Sequence, residues 1–376
     1  MFNIKSFKYY FSEEQINRIT NKITTILSQQ DFLTMGKNCS DLEKRFSESN
    51  KSPYVLTTSS GTSALELVLS AVNIEKHDVL LPSNTFVATA SAIIRSGGTP
   101  VYVDCDTDLN LSFEDLRLKI TPKTKAVIIV HIGGYITPQI QKIQAWCKEN
   151  KVLLIEDAAH AIGSHAYSTN AGNFGDAATF SLFTTKVLTA GEGGLVTTKH
   201  ESLYNKMSIL RNHGQAQDNI VPLRGSNWRM HEFNAILAIE QLSTLKDNIK
   251  HRKRIALIYD QYINQLSNFK IKRLQISSVS QSNLYKYIIL LPDSELIPIL
   301  IETLHKNYNI ASAGRVYPIP IHLQEGYFEK ICLPATERYC QEHFCLPIYM
   351  NMSVEEAHYT GQALVKELTQ LLSSKE

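Results

Sequence analysis

The sequence predicts an α/β protein built on a mostly parallel sheet with helices on both faces. Two observations carry this. Short apolar runs alternate with helical segments over the first two thirds of the chain, and several runs, such as AVIIV (126–130) and VLLI (152–155), are continuously apolar. Strands covered on both faces read this way, and parallel sheets with crossover helices are where such strands occur.

The elements follow in order. YVLTT (54–58) precedes the helical SALELVLSAV (63–72), and DVLLPS (78–83) precedes ATASAIIRSGG (88–98). TPVYVDCD (99–106) and KAVIIVHIGG (125–134) come next, then the helical PQIQKIQAWCKEN (138–150). KVLLIED (151–157), AATFSLF (177–183) and GGLVTT (193–198) complete the strand-like runs. After the charged, amphipathic stretch 232–266, which reads as one or two helices, the texture changes. YKYIILLP (285–292) and a final helix near 353–372 suggest a smaller α+β unit. We divide the chain into a large domain over 1–250, including the N-terminal segment, and a small C-terminal domain over 251–376.

Composition narrows the function. The 376 residues are 43% hydrophobic and 20% charged, enough for a sizeable core. A formal net charge of +2 gives no reason to expect nucleic acid or an anionic membrane as partner. The six cysteines show no C-x-x-C pair and read as free thiols of a reducing compartment. The N-terminus MFNIKSFKYYFSEEQ has no apolar core of a signal peptide, and no apolar run approaches the ~18 residues of a membrane span. A cytoplasmic protein is expected.

In open α/β sheets ligands gather at the carboxyl ends of the strands. Here those ends deliver SSGTSAL, SNTFVAT, DAAHAIG and LFTTKVLTAGEGG. TTSSGTSAL is a strand, a small-residue turn and a helix start, which makes an anion seat with Thr62 and Ser63 as hydroxyls; the plainer reading is an ordinary N-cap. Asp157 closes a buried strand and must be paired, by a salt bridge or cap if not by a ligand. His160 reads singly as a hydrogen-bonded structural histidine, Phe86 as core, and Lys186 as a snorkelling lysine at the end of an apolar run. Together they read differently. An anion seat, an aromatic face, a carboxylate and a lysine at neighbouring strand ends are the parts that pyridoxal 5'-phosphate (PLP) needs for its phosphate, ring, ring nitrogen and aldehyde.

The blocks SSGTSALELVL, LPSNTFVATASAI, GGTPVYVDCD, EDAAHAIG, GDAATFSLFTTKVLTAGEGGLVTT and GSNWRM resemble, in order, those of the DegT/DnrJ/EryC1/StrS sugar aminotransferases. The likeness runs from about Thr34 to LPIYMNMSVEEA near the C-terminus. It implies a fold type I PLP-dependent transferase, similar to aspartate aminotransferase, and a homodimer with active sites at the subunit interface. It places the cofactor-bonding lysine on Lys186, the ring-nitrogen aspartate on Asp157, the stacking aromatic on Phe86, and the residue near the ring hydroxyl on His160. Phosphate contacts fall on Gly61, Thr62, Ser63 and Ser181, with Asn227 reaching over from the other subunit. Arg229, also from the neighbour, is implied as a donor-carboxylate ligand, with His322 and Tyr317 as further substrate contacts. No metal is implied.

Two positions depart from the common pattern, His160 where the family usually has Gln and Trp228 where it usually has Tyr. A family branch with histidine in place of the lysine performs dehydration, and Lys186 sets this chain apart from it. The expected reaction is transfer of an amino group from an amino acid, L-glutamate by family precedent, to a keto sugar carried on a nucleotide, with PLP and its amine form PMP alternating. The competing readings are a lyase or aldolase of the same fold, a non-catalytic PLP-binding regulator, and a nucleotide-dependent oxidoreductase; no G-x-G-x-x-G follows the first strand to support the last. Choice of nucleotide and of a 3- or 4-keto group is expected to lie in loops 212–226, 274–284 and 312–324.

Overall fold

The computed structural model describes residues 2–274 and 277–373. Its centre is a seven-stranded sheet, whose strands run in the order Tyr54–Thr58, Gly194–Thr198, Ala177–Ser181, Leu153–Asp157, Thr124–Val130, Asp78–Pro82 and Thr99–Val103. All run parallel to one another except Gly194–Thr198, which is antiparallel to both of its neighbours.

The continuously apolar strands are explained by two cores, one on each face. Val127 and Ile129 face one core with Leu80, Leu154 and Phe180, while Ala126, Ile128 and Val130 face the other with Val79, Leu81 and Ile155. Successive side chains of a strand point to opposite faces, so a strand covered twice is apolar at every position. The first core is closed by helices Lys37–Asn50, Ile140–Glu149 and Glu232–Ser243, through Phe46, Ile143 and Ile239. Helices Gly61–Val72, Val87–Arg95 and Glu201–Arg211 close the second, through Leu67, Ile93 and Met207. Each fully buried Leu or Ile contributes about 1.5–3 kcal/mol, and both faces hold a dozen or so, so the sheet is the rigid part of the molecule.

A second, antiparallel sheet joins Lys272–Arg273, Tyr287–Leu290 and His343–Leu346. Helices Leu245–Ile263, Leu296–Tyr308 and Val354–Ser373 pack on it around Tyr259, Leu300 and Leu364. The N-terminal segment belongs to this core as well: Ile4 is fully buried in it and bridges Ile310. The stretch 232–266 forms two helices that part at Thr244, where φ is −110° and ψ is 7°.

The strand at 177 ends earlier than its apolar run suggests. Ser181 is its last residue, opposite Gly194, and Leu182 then donates its N–H to the Gly193 carbonyl as the chain leaves the sheet. Lys186 is therefore not a strand end. It lies in the following turn, where its N–H bonds the Phe183 carbonyl at 2.9 Å. The helix Glu13–Gln29 has a full capping box between Ser12 and Gln15, written in the sequence as SEEQ. No helix among the described residues is long and apolar enough to cross a membrane.

Candidate active site

The carboxyl ends of Tyr54–Thr58, Asp78–Pro82, Leu153–Asp157 and Ala177–Ser181 surround a cleft of about 440 Å³. Gly61, Thr62, Phe86, Asp157, His160, Ser181, Lys186 and Tyr317 all line it.

Its floor is the start of helix Gly61–Val72. Ser60 caps the helix, its side chain accepting from the Ser63 N–H, while the Ser63 hydroxyl accepts from the Ser60 N–H at 2.8 Å. Ser63 is thereby committed to the cap and does not line the cleft. The N–H groups of Gly61 and Thr62 have no carbonyl of their own helix to reach, and they carry the positive end of its dipole. Gly61 is required by a close approach, because a Cβ there would come within 2.9 Å of the Ser181 Cβ. The same economy holds the chain after Lys186: a Cβ on Gly194 would stand 2.3 Å from the Ser60 carbonyl oxygen. The seat is thus two N–H groups facing the hydroxyls of Thr62 and Ser181, which suits a phosphate.

Asp157 is buried at the end of the central strand. Its Oδ2 accepts from the Thr89 hydroxyl at 2.9 Å and its Oδ1 from the Ala159 N–H at 3.2 Å. Burial pushes its pKa up, opposed by these two hydrogen bonds and by the positive charge of Lys186. Its neighbour Glu156 points the other way and has a different task. Glu156 is fully buried and accepts N–H groups from Gly172, Phe174 and Gly175 as well as from His131 Nε2 at 2.8 Å. That carboxylate organises the loop 172–175 and does not reach the cleft.

Burial also lowers the pKa of Lys186, with Lys286 adding to the effect and Tyr285 and Asp157 opposing it. Lys186 Nζ sits 4.9 Å from the centre of the Tyr285 ring. The Tyr285 hydroxyl meets the Thr185 hydroxyl at 3.2 Å. Burial alone would raise that phenol's pKa, but the charges of Lys186 and Lys286 and the hydrogen bonds of Thr185 and Lys186 bring it below its ordinary value.

His160 is held neutral by burial and by the two nearby lysine charges. The Gly133 N–H donates to its Nδ1 at 3.2 Å, so the ring's own proton is on Nε2, 3.2 Å from the Tyr317 hydroxyl. Its ring stacks on Tyr317 at 6.0 Å between centroids and lies 4.5 Å from Tyr285. Phe86, at the start of helix Val87–Arg95, is 55% exposed and stands 6.2 Å from Tyr317, so it is a rim residue and not core.

Three further candidates lie elsewhere. Asn227 is exposed and Arg229 half-exposed; neither lines the cleft of its own chain, and Arg229 Nη1 bonds Asn212 Oδ1 at 2.7 Å. The strip they occupy passes beside the floor helix, with the Trp228 carbonyl accepting from the Ser59 N–H. His322 is fully buried. It accepts at Nδ1 from Ser83, 2.7 Å away, and faces Glu337 from Nε2 at 3.3 Å, outside the cleft.

Sequence reasoning passed over Thr89, Thr185, Tyr285 and Lys286. Thr89 sat inside the recognised block SNTFVATASAI, where one helical turn from Thr85 was a usable signal. The run YKYIILLP suggests a strand that includes Tyr285 and Lys286, but the strand begins only at Tyr287. They reach the cleft from another sheet, and nothing local announces that.

The residues therefore meet the demands of a PLP site on structural grounds: an N–H and hydroxyl seat for a dianion, a buried carboxylate lacking a full complement of positive charge, and a desolvated amine. The comparisons agree with this. The model of the DegT/DnrJ/EryC1/StrS aminotransferase family matches residues 13–365. GDP-perosamine synthase of Escherichia coli O157:H7 is 31% identical over 341 residues, 88% of this chain and 90% of that one. UDP-4-amino-4,6-dideoxy-N-acetyl-beta-L-altrosamine transaminase of Helicobacter pylori is 26% identical over 369 residues, 96% and 97% of the two chains. NtdA from Bacillus subtilis, solved with the cofactor PMP bound, superposes with a TM-score of 0.89 at 26% identity, covering 96% of this chain and 83% of that one. This chain belongs to the DegT/DnrJ/EryC1/StrS aminotransferase family and has its fold type I architecture.

Proposed function

We propose that this sugar aminotransferase uses PLP to move an amino group from L-glutamate to a nucleotide-linked keto sugar, a 3- or 4-keto-6-deoxyhexose. The observation that carries the reading is the convergence of Lys186, Asp157 and the N-terminus of helix Gly61–Val72 on one cleft. When bound, PLP supplies an electron sink for the pair released as the donor's α-carbon loses its proton, and it carries the amino group from donor to acceptor.

The chain's residues do the rest. Gly61 and Thr62 N–H groups, with the hydroxyls of Thr62 and Ser181, hold the phosphate. The Asp157 carboxylate, whose charged form Thr89 and the Ala159 N–H favour, would face the ring nitrogen and keep it protonated. His160 presents Nε2–H beside the ring hydroxyl, oriented by Gly133 and Tyr317. Phe86, on the rim of the cleft, would offer its face to the ring. The Lys186 amine would hold the bound cofactor by its aldehyde. Freed by the donor, it would take the α-proton as base and deliver it as acid to the carbon that carries the amino group away, a task that its depressed pKa favours. Asn227 and Arg229 act in the neighbouring cleft of a homodimer, Asn227 on the phosphate and Arg229 on the donor carboxylate; their place on the surface, outside their own cleft, supports this. The GDP and UDP in the names of the two relatives support a nucleotide-linked acceptor while differing in the nucleotide. Loops 212–226, 274–284 and 312–324 are where we place that choice, residues 275 and 276 lying outside the described residues.

The test is in two halves. Mixing the holoenzyme with L-glutamate is expected to replace the absorbance of lysine-bound PLP with that of PMP. Adding GDP-, UDP- and dTDP-linked 3- and 4-keto sugars in turn should restore it for one of them, with an amino sugar as product. A spectrum that glutamate leaves unchanged, or recovery with none of the sugars, contradicts the proposal.

A further inference from the structure

Behind Tyr285 the structure contains a second, smaller pocket of about 140 Å³. It shares Thr185, Tyr285 and Lys286 with the cleft, and its other walls include Lys8 and Arg252. Among the described residues no carboxylate lines it.

Arg252 is the telling residue. It is only 4% exposed and has no carboxylate partner among the described residues. Its Nε donates to Asn248 Oδ1 and its Nη1 to the carbonyls of Leu284 and Ile348, which leaves Nη2 without a partner among the described residues. Burial without a counter-charge pulls its pKa down to about 10. A buried guanidinium is ordinarily matched by an anion, since desolvating an unpaired charge is costly. Among the described residues Lys286 has no carboxylate within ion-pair distance either, its Nζ lying 5.2 Å from the centre of the Tyr285 ring. Lys8, from the N-terminal segment, reaches Glu356 only at 3.7 Å.

We propose that this pocket is a seat for a small oxyanion, of carboxylate or phosphate size, held by Arg252, Lys286 and Lys8. The cavity is too small for a nucleoside diphosphate and of the right order for three to five heavy atoms. The Arg252 Nη2, left over by the other guanidinium bonds, offers N–H donors to one oxyanion, and the two ammonium groups add charge. The seat is separate from the phosphate seat at Gly61 and Thr62, neither of which lines it, and Tyr285 is part of the wall shared with the cleft. Two sources supply such a group: the distal carboxylate of a dicarboxylic amino donor, reaching past Tyr285 from the cleft, or a free inorganic anion. Only the first rests on the transaminase reading.

The experiment is calorimetric titration of the holoenzyme with inorganic phosphate at fixed ionic strength, the cofactor already filling the other seat. Saturable binding is expected, weakened roughly ten-fold by Lys8→Gln and by Lys286→Gln, as loss of one charge-assisted hydrogen bond implies. These variants serve because Arg252 also ties down backbone carbonyls and its loss risks the fold. No saturable binding to the wild type, or binding unchanged in both variants, overturns the seat; neither result depends on turnover. Half-reactions with L-glutamate and L-alanine then separate the sources. Competition by phosphate against glutamate, with Lys8→Gln raising the requirement for glutamate but not for alanine, identifies the donor's carboxylate. Phosphate binding with both requirements unchanged identifies a free anion.

Discussion

Thr89→Val removes one hydroxyl and keeps the shape of the side chain, so it isolates a single hydrogen bond at Asp157. The Thr89 hydroxyl is 2.9 Å from Asp157 Oδ2, both groups are buried, and among the described residues one other donor, the Ala159 N–H at 3.2 Å, serves that carboxylate. A hydrogen bond to a charged group contributes about 1.5–3 kcal/mol, equivalent to roughly ten-fold to a hundred-fold in an equilibrium constant. Its loss raises further a pKa that burial already raises, and so weakens the charge opposite the ring nitrogen. PLP affinity of the variant, measured by titrating the apoenzyme and following absorbance, should fall by about ten-fold or more, with a comparable fall in kcat. Thr85→Val is the control. Its hydroxyl bonds Thr89 at 2.9 Å and not Asp157, so it should have a clearly smaller effect. Affinity and kcat of Thr89→Val within about two-fold of wild type would refute the reasoning.

Three other outcomes are expected. Because burial raises the folded-state pKa of Asp157, the apoenzyme binds that proton more tightly than the unfolded chain, and this group's contribution to stability falls as pH rises above the unfolded value of about 3.9. Apo Asp157→Asn should therefore melt higher than apo wild type at neutral pH, though inactive, and the gap should close in acid; thermal scans across pH decide it. Tyr285 holds up the pKa of Lys186, so Tyr285→Phe should move the acid limb of the kcat profile to lower pH, while an unshifted limb would detach Tyr285 from the lysine. Glu156→Gln breaks a fully buried group that accepts from three backbone N–H groups and His131, and it should cost about 3–5 kcal/mol in urea unfolding.

Much of the fold was legible because burial on both faces leaves a plain mark, the unbroken apolar run at 126–130. The site was legible to the extent that it sits at strand ends of that same sheet, where Asp157, Ser181 and the start of helix Gly61–Val72 are fixed by local sequence. The apolar stretch that points to Lys186 continues past Ser181 and does not reveal where pairing stops; the strand ends before the lysine, which still lines the cleft. What stayed hidden arrives from a distance. Tyr285 and Lys286 come from the approach to another sheet, and only the packed chain brings their side chains to Lys186. Ser63 shows the converse: it lies beside the start of the helix, as its place in the sequence implies, but the capping box with Ser60 takes up its hydroxyl.

Two lysines line the cleft, and the central claim is that one of them carries the cofactor. Borohydride reduction of the holoenzyme, digestion and mass spectrometry read this directly. The peptide containing Lys186 should bear the added mass of the reduced cofactor, and Lys186→Ala should yield no labelled peptide. Label on Lys286 in the wild type, or none on either lysine, would contradict the assignment.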